Sequence, residues 1–375
     1  MRFVSDLGSA VPAIIAAFLA AASIALVLTP IVRARAVRLG VVDRPNHRRV
    51  NVHPVPRGGG LAMGSAFLIV AAIMVIANDQ WRVVGSPTDL EPGELVALLG
   101  GCAAAVLFGA FDDWFDLRAR WQMLGQLALA GAAIVLGIEI ASVNNPVTSA
   151  LLTFGEPFAA GFSVLWIVGM INSVNFIDGL DGLSSGIGLI AAITLGVLSL
   201  TAQVDQPFVA VLCFALAGSL LGFLRWNFHP ATVFPGSSGT TFVGFALAVL
   251  SILGLAKVAV ALLVLGVPII DAFWIIVRRL VAGRSPFAPD RGHLHHRLLD
   301  LGLSHRKTVV LIYAICIGLG VLSLVLSGAS QVYAFLGVFV GIGLLLLFIA
   351  GDGFGDAALE AESYVEQDRG AGQPT

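Results

Sequence analysis

Long apolar runs separated by short polar breaks occupy the chain up to about residue 350. A helix that crosses a bilayer needs about 20 mainly apolar residues, and the rule yields about eleven candidate spans. These are Val11–Val32, Gly58–Ala77, Glu94–Phe111, Gln122–Ile138, Ala160–Ile177, Ser185–Thr201, Phe208–Leu224, Phe242–Leu255, Val258–Val277, Thr308–Ser327 and Val332–Ala350. Phe242–Leu255 is the shortest of them. The pattern predicts an all-α polytopic integral membrane protein with about 10–11 transmembrane helices. Between Ile138 and Pro157 apolar and polar residues alternate, which predicts a small hairpin. No loop between spans is long enough to build a core of its own, and no internal repeat is present. Residues 1–350 therefore read as a single transmembrane domain. Residues 351–375, polar, acidic and Gly-rich, read as a disordered tail.

Composition supports lipid as the solvent. The 375 residues are 58% hydrophobic and 12% charged, with a mean hydropathy of +0.94. Soluble domains carry about 25% charged residues. Cys102, Cys213 and Cys316 all sit inside apolar runs and read as small buried hydrophobes. The net charge of -2 matters less than where the charges lie. With the N-terminus outside, one side collects Arg33, Arg35, Arg38, Arg44, Arg48, Arg49, Arg57, Arg118, Arg120, Arg225, Arg278, Arg279, Arg284, Arg291, Arg297, Arg306 and Lys307, with Arg369 in the tail. The other holds Arg2, Arg82 and Lys257. Lys and Arg accumulate on the cytoplasmic side, so the split predicts an outside N-terminus and a cytoplasmic C-terminus. The first span has one arginine before it and a cluster after it, the reverse of a signal peptide, and is expected to be retained.

The polar clusters fall on the arginine side, so a site, if present, faces the cytoplasm. Asp112, Asp113 and Asp116 close the third span. In a helix Asp112 and Asp116 share a face while Asp113 points about 100° away. Carboxylates at a membrane boundary are costly and usually functional; the alternative is a solvated helix end paired with Arg118 and Arg120. The stretch Asn172 through Leu183 is more specific. Asn172, Asn175, Asp178 and Asp181 converge at the end of a span, and Gly179 and Gly182 break the helix there. An Asx-rich turn accounts for the glycines but not for two Asn inside the hydrocarbon edge. The basic loop Arg44–Arg57 leads into Gly58-Gly59-Gly60, where arginines and free N–H groups at a helix start suit a phosphate or pyrophosphate; some of that charge is plain orientation signal. Last, Asp290, Arg291, His293, His295, His296 and Arg297 crowd one loop. His-x-His-His could ligate zinc. Without cysteines and with arginines interleaved, anion and sugar recognition is the better reading.

These residues resemble the polyprenyl-phosphate N-acetylhexosamine-1-phosphate transferases of glycosyltransferase family 4 type. The matching stretches are Asp43–Gly60, Asp112–Gln126, Asn172–Gly186, Phe223–Gly244 and Val267–Leu299, in the family's order. Asp290–Leu298 is similar to the bacterial branch that uses undecaprenyl phosphate and GlcNAc-1-phosphate. The resemblance implies Mg²⁺ (or Mn²⁺) dependence, a UDP-HexNAc donor, a polyprenyl phosphate acceptor, release of UMP, and a place at the start of a cell-envelope polysaccharide. It implies a multi-pass protein of the cell (inner) membrane with no nucleic-acid partner, and leaves a homodimer open. By the same analogy Asp112 and Asp113 act catalytically at the acceptor phosphate and metal. Asn172, Asn175, Asp178 and Asp181 hold nucleotide and metal, while Arg57, Arg291, His293, His295 and His296 grip pyrophosphate and sugar. The metal set is Asp113, Asp178 and Asp181. Three positions depart from the pattern: Ser237 stands where the family has a metal-ligand Asp, and Thr232 and Gln122 where Lys is usual. Two other readings compete. A family member that binds its ligands without turnover fits Ser237. A transporter fits less well, because its polar groups sit at mid-membrane in paired halves.

Overall fold

The computed structural model describes residues 7–43, 53–85, 88, 90–144, 150–253, 257–281, 283, 285, 292–326 and 329–350. Helix α1 runs Leu7–Leu39, and a two-residue strand pair follows, β1 (Val42–Asp43) with β2 (Val55–Pro56). Then come α2 (Gly59–Trp81), α3 (Pro92–Phe115) and α4 (Ala119–Val135). The expected hairpin is present as β3 (Ser142–Asn144) antiparallel to β4 (Leu151–Thr153). The chain continues through α5 (Glu156–Ile177), α6 (Leu183–Ser199), α7 (Pro207–Asn227), α8 (Gly236–Ile252), α9 (Lys257–Val264), α10 (Gly266–Val281), α11 (Leu294–Asp300), α12 (His305–Val325) and α13 (Ala329–Ala350).

Each expected span falls mainly on helix over its described residues. Among the described residues six helices, α1, α2, α3, α5, α7 and α12, are long and apolar enough to cross a membrane. The run Val258–Val277 is not one straight helix: α9 and α10 meet at 76°. Pro268 carries no N–H for the carbonyl of Val264, so the helical ladder is interrupted there. Helices α6 and α8 are apolar but only 17 residues long. Helix α8 can be short because it is enclosed. Its side chains from Ser238 to Ser251 are buried, and α2, α3, α5, α6 and α9 pack around it. A helix wrapped in protein need not match the thickness of the hydrocarbon.

Small residues permit this packing, as in other membrane bundles. Gly60 of α2 and Gly109 of α3 hold the first turn of α8 between them. A Cβ on Gly60 would overlap the backbone of Ser238 and Gly239, and one on Gly109 the backbone of Ser237 and Ser238. Outward faces carry exposed Ile15, Leu19, Ile73, Leu107, Leu165 and Val321, as expected of surfaces that meet lipid tails. The three cysteines are buried, and no disulfide joins them.

Candidate active site at the bundle end

The C-terminal ends of α3, α5 and α7 and the N-terminal ends of α6, α8 and α12 meet at one end of the bundle. A cavity of about 320 Å³ opens there, lined from the ends of α3, α5 and α7, the α5–α6 turn, the start of α8, Gln122 of α4, His296 of α11, and Asp43 and Arg57. Its lining carries six carboxylates, from Asp43, Asp112, Asp113, Asp116, Asp178 and Asp181, against one arginine, Arg57. Asn175, Asn227, Gln122, Ser237 and His296 complete its polar wall.

The two carboxylates at the end of α3 diverge as helical geometry requires. Asp112 turns toward the α3–α4 link, where it accepts the Leu117 N–H at 2.9 Å. The Gln122 amide donates to both of its oxygens at 3.1 and 3.0 Å. Asp113 turns to the start of α8 and accepts the Ser237 N–H at 2.7 Å, the Ser238 N–H at 3.0 Å and the Ser238 hydroxyl at 2.7 Å. Free N–H groups and the helix dipole favour an anion at this position. Three of the roughly four acceptor positions of the carboxylate are thereby used. Gly236, just before, has φ 68°, and a Cβ there would overlap the Asp113 carboxylate.

The α5–α6 turn supplies the opposite wall. Asp178 accepts the Ser184 hydroxyl. Burial pushes its carboxyl up to about 7; the Ser184 bond offsets part of that, and the charges of Asp113 and Asp181 add to it. Asp181 Oδ2 lies 2.7 Å from His229 Nδ1 and accepts the Ala231 N–H at 3.0 Å. Its own N–H donates to His305 Nε2 at 2.9 Å. Asn175 accepts the Thr240 hydroxyl at 3.2 Å and faces the cavity. Asn172 does not: its amide donates to Gln126 and to the Val168 carbonyl inside the bundle.

The histidine cluster divides. His296 lines the cavity. His293 is buried, with Nδ1 2.7 Å from Asp271 Oδ2, and the Leu294 N–H donates to the other oxygen at 2.8 Å. Asp271 thus ties α10 to the start of α11. His295 is buried against Gly179, and among the described residues neither of its ring nitrogens has a hydrogen-bond partner. Burial, reinforced by the neighbouring histidines, holds its pKa well below the usual histidine range. Arg291 lies outside the described residues, as do residues 44–52 of the basic loop and the tail.

One local expectation is corrected. The first N–H groups of α2 are not free for a phosphate, because Gly59 N–H bonds the Phe234 carbonyl and Gly60 N–H the Pro235 carbonyl, both at 3.0 Å. Arg57 does reach the cavity, where it pairs with Asp43 and lies 3.5 Å from Asp116. Of the departing residues, Gln122 supplies the amide on Asp112. Ser237 stands at the cavity wall, and Thr232 closes its own loop on the Trp226 carbonyl at 3.0 Å. Sequence reasoning missed Asp271, His229, His305 and Asp43. Asp271 had a signal, since an ionisable residue inside an apolar run is functional by default.

The donor set fits a hard divalent cation. Mg²⁺ takes oxygen ligands, keeps several waters and needs one or two carboxylates. Asp178 is a buried acid whose charge is opposed by two neighbouring acids, an arrangement a cation relieves. Asp113 has one acceptor position beyond its three hydrogen bonds, and Asp181 lines the same cavity.

Fold and site together define an integral-membrane bundle built around an acidic pocket at one end. Residues 95–255 match the model of glycosyl transferase family 4. The chain is 35% identical over 323 residues to a probable undecaprenyl-phosphate N-acetylglucosaminyl 1-phosphate transferase of Bacillus subtilis, covering 84% of this chain and 86% of that protein. It is 34% identical to a decaprenyl-phosphate N-acetylglucosaminephosphotransferase of Mycolicibacterium smegmatis, over 82% of this chain and 81% of that one. An undecaprenyl-phosphate alpha-N-acetylglucosaminyl 1-phosphate transferase of Thermotoga maritima is 30% identical over 87% of this chain and 94% of its own length. The chain belongs to glycosyl transferase family 4.

Proposed function

We propose that this protein transfers GlcNAc-1-phosphate from UDP-GlcNAc to a polyprenyl phosphate, releases UMP, and so begins a cell-envelope polysaccharide. The observation that carries this reading is the convergence of Asp112, Asp113, Asp178 and Asp181 on one cavity at the bundle end. A lipid phosphate lying at the membrane surface and a water-soluble nucleotide sugar can both reach such a place. An oxygen of the acceptor phosphate attacks the β-phosphorus of the donor, and the bond from that phosphorus to the bridging oxygen breaks, leaving UMP. Such transfers need positioning and charge neutralisation more than covalent help from the protein.

Asp178, with Asp113 and Asp181 beside it, is the set that would hold Mg²⁺. When bound, the ion neutralises the pyrophosphate oxygens and the charge that develops on the leaving UMP. Asp112, oriented by Gln122, faces the acceptor phosphate, and Arg57 offers that phosphate a fixed positive charge. Asn175 faces the nucleotide side. His296 faces the donor pyrophosphate, a role the family resemblance also gives to Arg291. Asn172, His293 and His295 support this wall from behind. The arginine split supports an N-terminus outside and a cavity open to the cytoplasm, in the cell (inner) membrane.

A second reading has one observation in its favour: Ser237 puts a hydroxyl in the cavity wall where a carboxylate would hold the ion more strongly. On that reading the protein binds its ligands without turnover. Purified protein given UDP-GlcNAc, undecaprenyl phosphate and Mg²⁺ is expected to release UMP. Substrate binding without UMP release, for every UDP-HexNAc tried, establishes the second reading instead.

A further inference from the structure

We propose that Asp181, His229 and His305 form a binding site for a transition-metal ion of the Zn²⁺ class at the rim of the cavity, and that its occupation takes Asp181 away from the catalytic cation. The residues come from three separate segments: the α5–α6 turn, the α7–α8 loop and the first residue of α12. One ligand atom from each lies within 4.8 Å of the other two. His229 Nδ1 is already 2.7 Å from Asp181 Oδ2. The two imidazoles stack with centroids 4.2 Å apart and planes 21° from parallel. Arg306 fixes this arrangement, donating to the His229 carbonyl at 3.1 and 3.3 Å and so pinning the start of α12 to the loop.

The ligand types decide which ion fits. Two imidazoles and one carboxylate suit Zn²⁺, Co²⁺ or Ni²⁺, whereas Mg²⁺ prefers an all-oxygen shell. Zinc sits about 2.0–2.1 Å from imidazole nitrogen, so its ligand atoms are about 3.3 Å apart. The triad therefore closes by rotations of the side chains, and His305 Nε2 exchanges the Asp181 N–H for the ion. Asp181 links the two sites, because its carboxylate also lines the cavity. A Zn²⁺ ion on Oδ2 neutralises the charge that would help to hold Mg²⁺, so Zn²⁺ inhibits turnover in the presence of excess Mg²⁺. Only this last consequence rests on the proposed transferase activity.

The competing explanation is that the two imidazoles merely position Asp181 by hydrogen bonds. Two substitutions separate the alternatives. In His229→Asn the amide nitrogen overlies Nδ1, and in His305→Gln the amide oxygen overlies Nε2, so the hydrogen bonds persist while the nitrogen ligands are lost. The full-length protein, with any affinity tag removed, is titrated with Co²⁺ in millimolar Mg²⁺ and followed by its visible absorbance. One Co²⁺ per chain is expected, displaced by Zn²⁺, with an apparent Kd at least about tenfold higher in each variant and unchanged in His296→Asn. The proposal is overturned if no Co²⁺ is held against Mg²⁺, if neither variant moves the Kd, or if only His296→Asn does. Co²⁺ binding of the expected kind without UMP release from UDP-GlcNAc leaves the site standing and removes the transferase reading.

Discussion

At the residue scale the cavity is a balance of crowded negative charge, and its carboxylates have different tasks. Asp113 spends most of its acceptor capacity on the start of α8. Asp113→Asn replaces an acceptor with an amide that points an NH₂ group at other donors. It is expected to cut UMP release at least about a hundredfold and to cost about 1–3 kcal/mol of stability. Asp112→Asn should match the loss of activity, read as initial rates of UMP release from folded protein. Retention of near-wild-type rates by both would remove the roles assigned to them. Asp178 gives a pH prediction. Its pKa in the fold is raised, to about 7 against 3.8 ordinarily. The folded state therefore binds the proton more tightly than the unfolded chain. That contribution is fully present below pH 4 and is lost as pH rises through about 7. Mg²⁺ binds the ionised form, so the rise in Tm on adding Mg²⁺ should be larger at pH 8 than at pH 6. An equal rise at both would exclude Asp178 as a ligand. At Ser237, a carboxylate would join Asp113 and Asp178 at the wall. Ser237→Asp is expected to lower the Mg²⁺ concentration for half-maximal turnover; an unchanged titration would mean that the ion is held without this position.

At the scale of elements the decisive contact is the first turn of α8, clasped between α2 and α3. The clasp sets where Asp113 meets Ser237 and Ser238, so packing and site geometry are one problem here. Gly60→Ala and Gly109→Ala each drive a methyl group into backbone that has no rotamer with which to yield. Each should cost upward of about 1–3 kcal/mol and lower activity with it. Gly131, on α4, has open space where a Cβ would go. Gly131→Ala should be neutral or stabilise by up to about 1 kcal/mol. Thermal unfolding in one detergent ranks the three, and equal Tm values would refute the clasp. Beyond the α9–α10 bend, Asp271 bonds back to His293 and Leu294 at the start of α11 and so joins these two elements.

For the whole molecule, the helices bring their polar ends together at one end of the bundle. On the orientation proposed from the arginine asymmetry, that end faces the cytoplasm. With the three native cysteines buried, added ones report cleanly. Gly155→Cys, exposed before α5, should react with an impermeant maleimide in intact cells. Ser285→Cys, exposed after α10, should react only after permeabilisation. Labelling of both under the same condition would reverse or void the orientation.

Much of this architecture is written in local pattern. Apolar runs mark the helices because a backbone in lipid must bond to itself, whatever its neighbours are. The hairpin between Ile138 and Pro157 follows from alternation. Asp112, Asp113, Asn175, Asp178 and Asp181 stand out because polar groups at a hydrocarbon boundary are costly and so need a use. Which of these groups meet is a matter of distant packing. Asp113 and Ser237 are 124 residues apart in sequence, as are Asp181 and His305. No periodicity spans such distances. The same holds for Asn172, which turns to Gln126 and away from the cavity, and for the α2 N–H groups taken up by Phe234 and Pro235. Hydrophobic burial is non-directional and sets which segments are helices. The partners of each polar group are chosen by directional hydrogen bonds that form only once the helices have packed, and for that reason they belong to the tertiary structure alone.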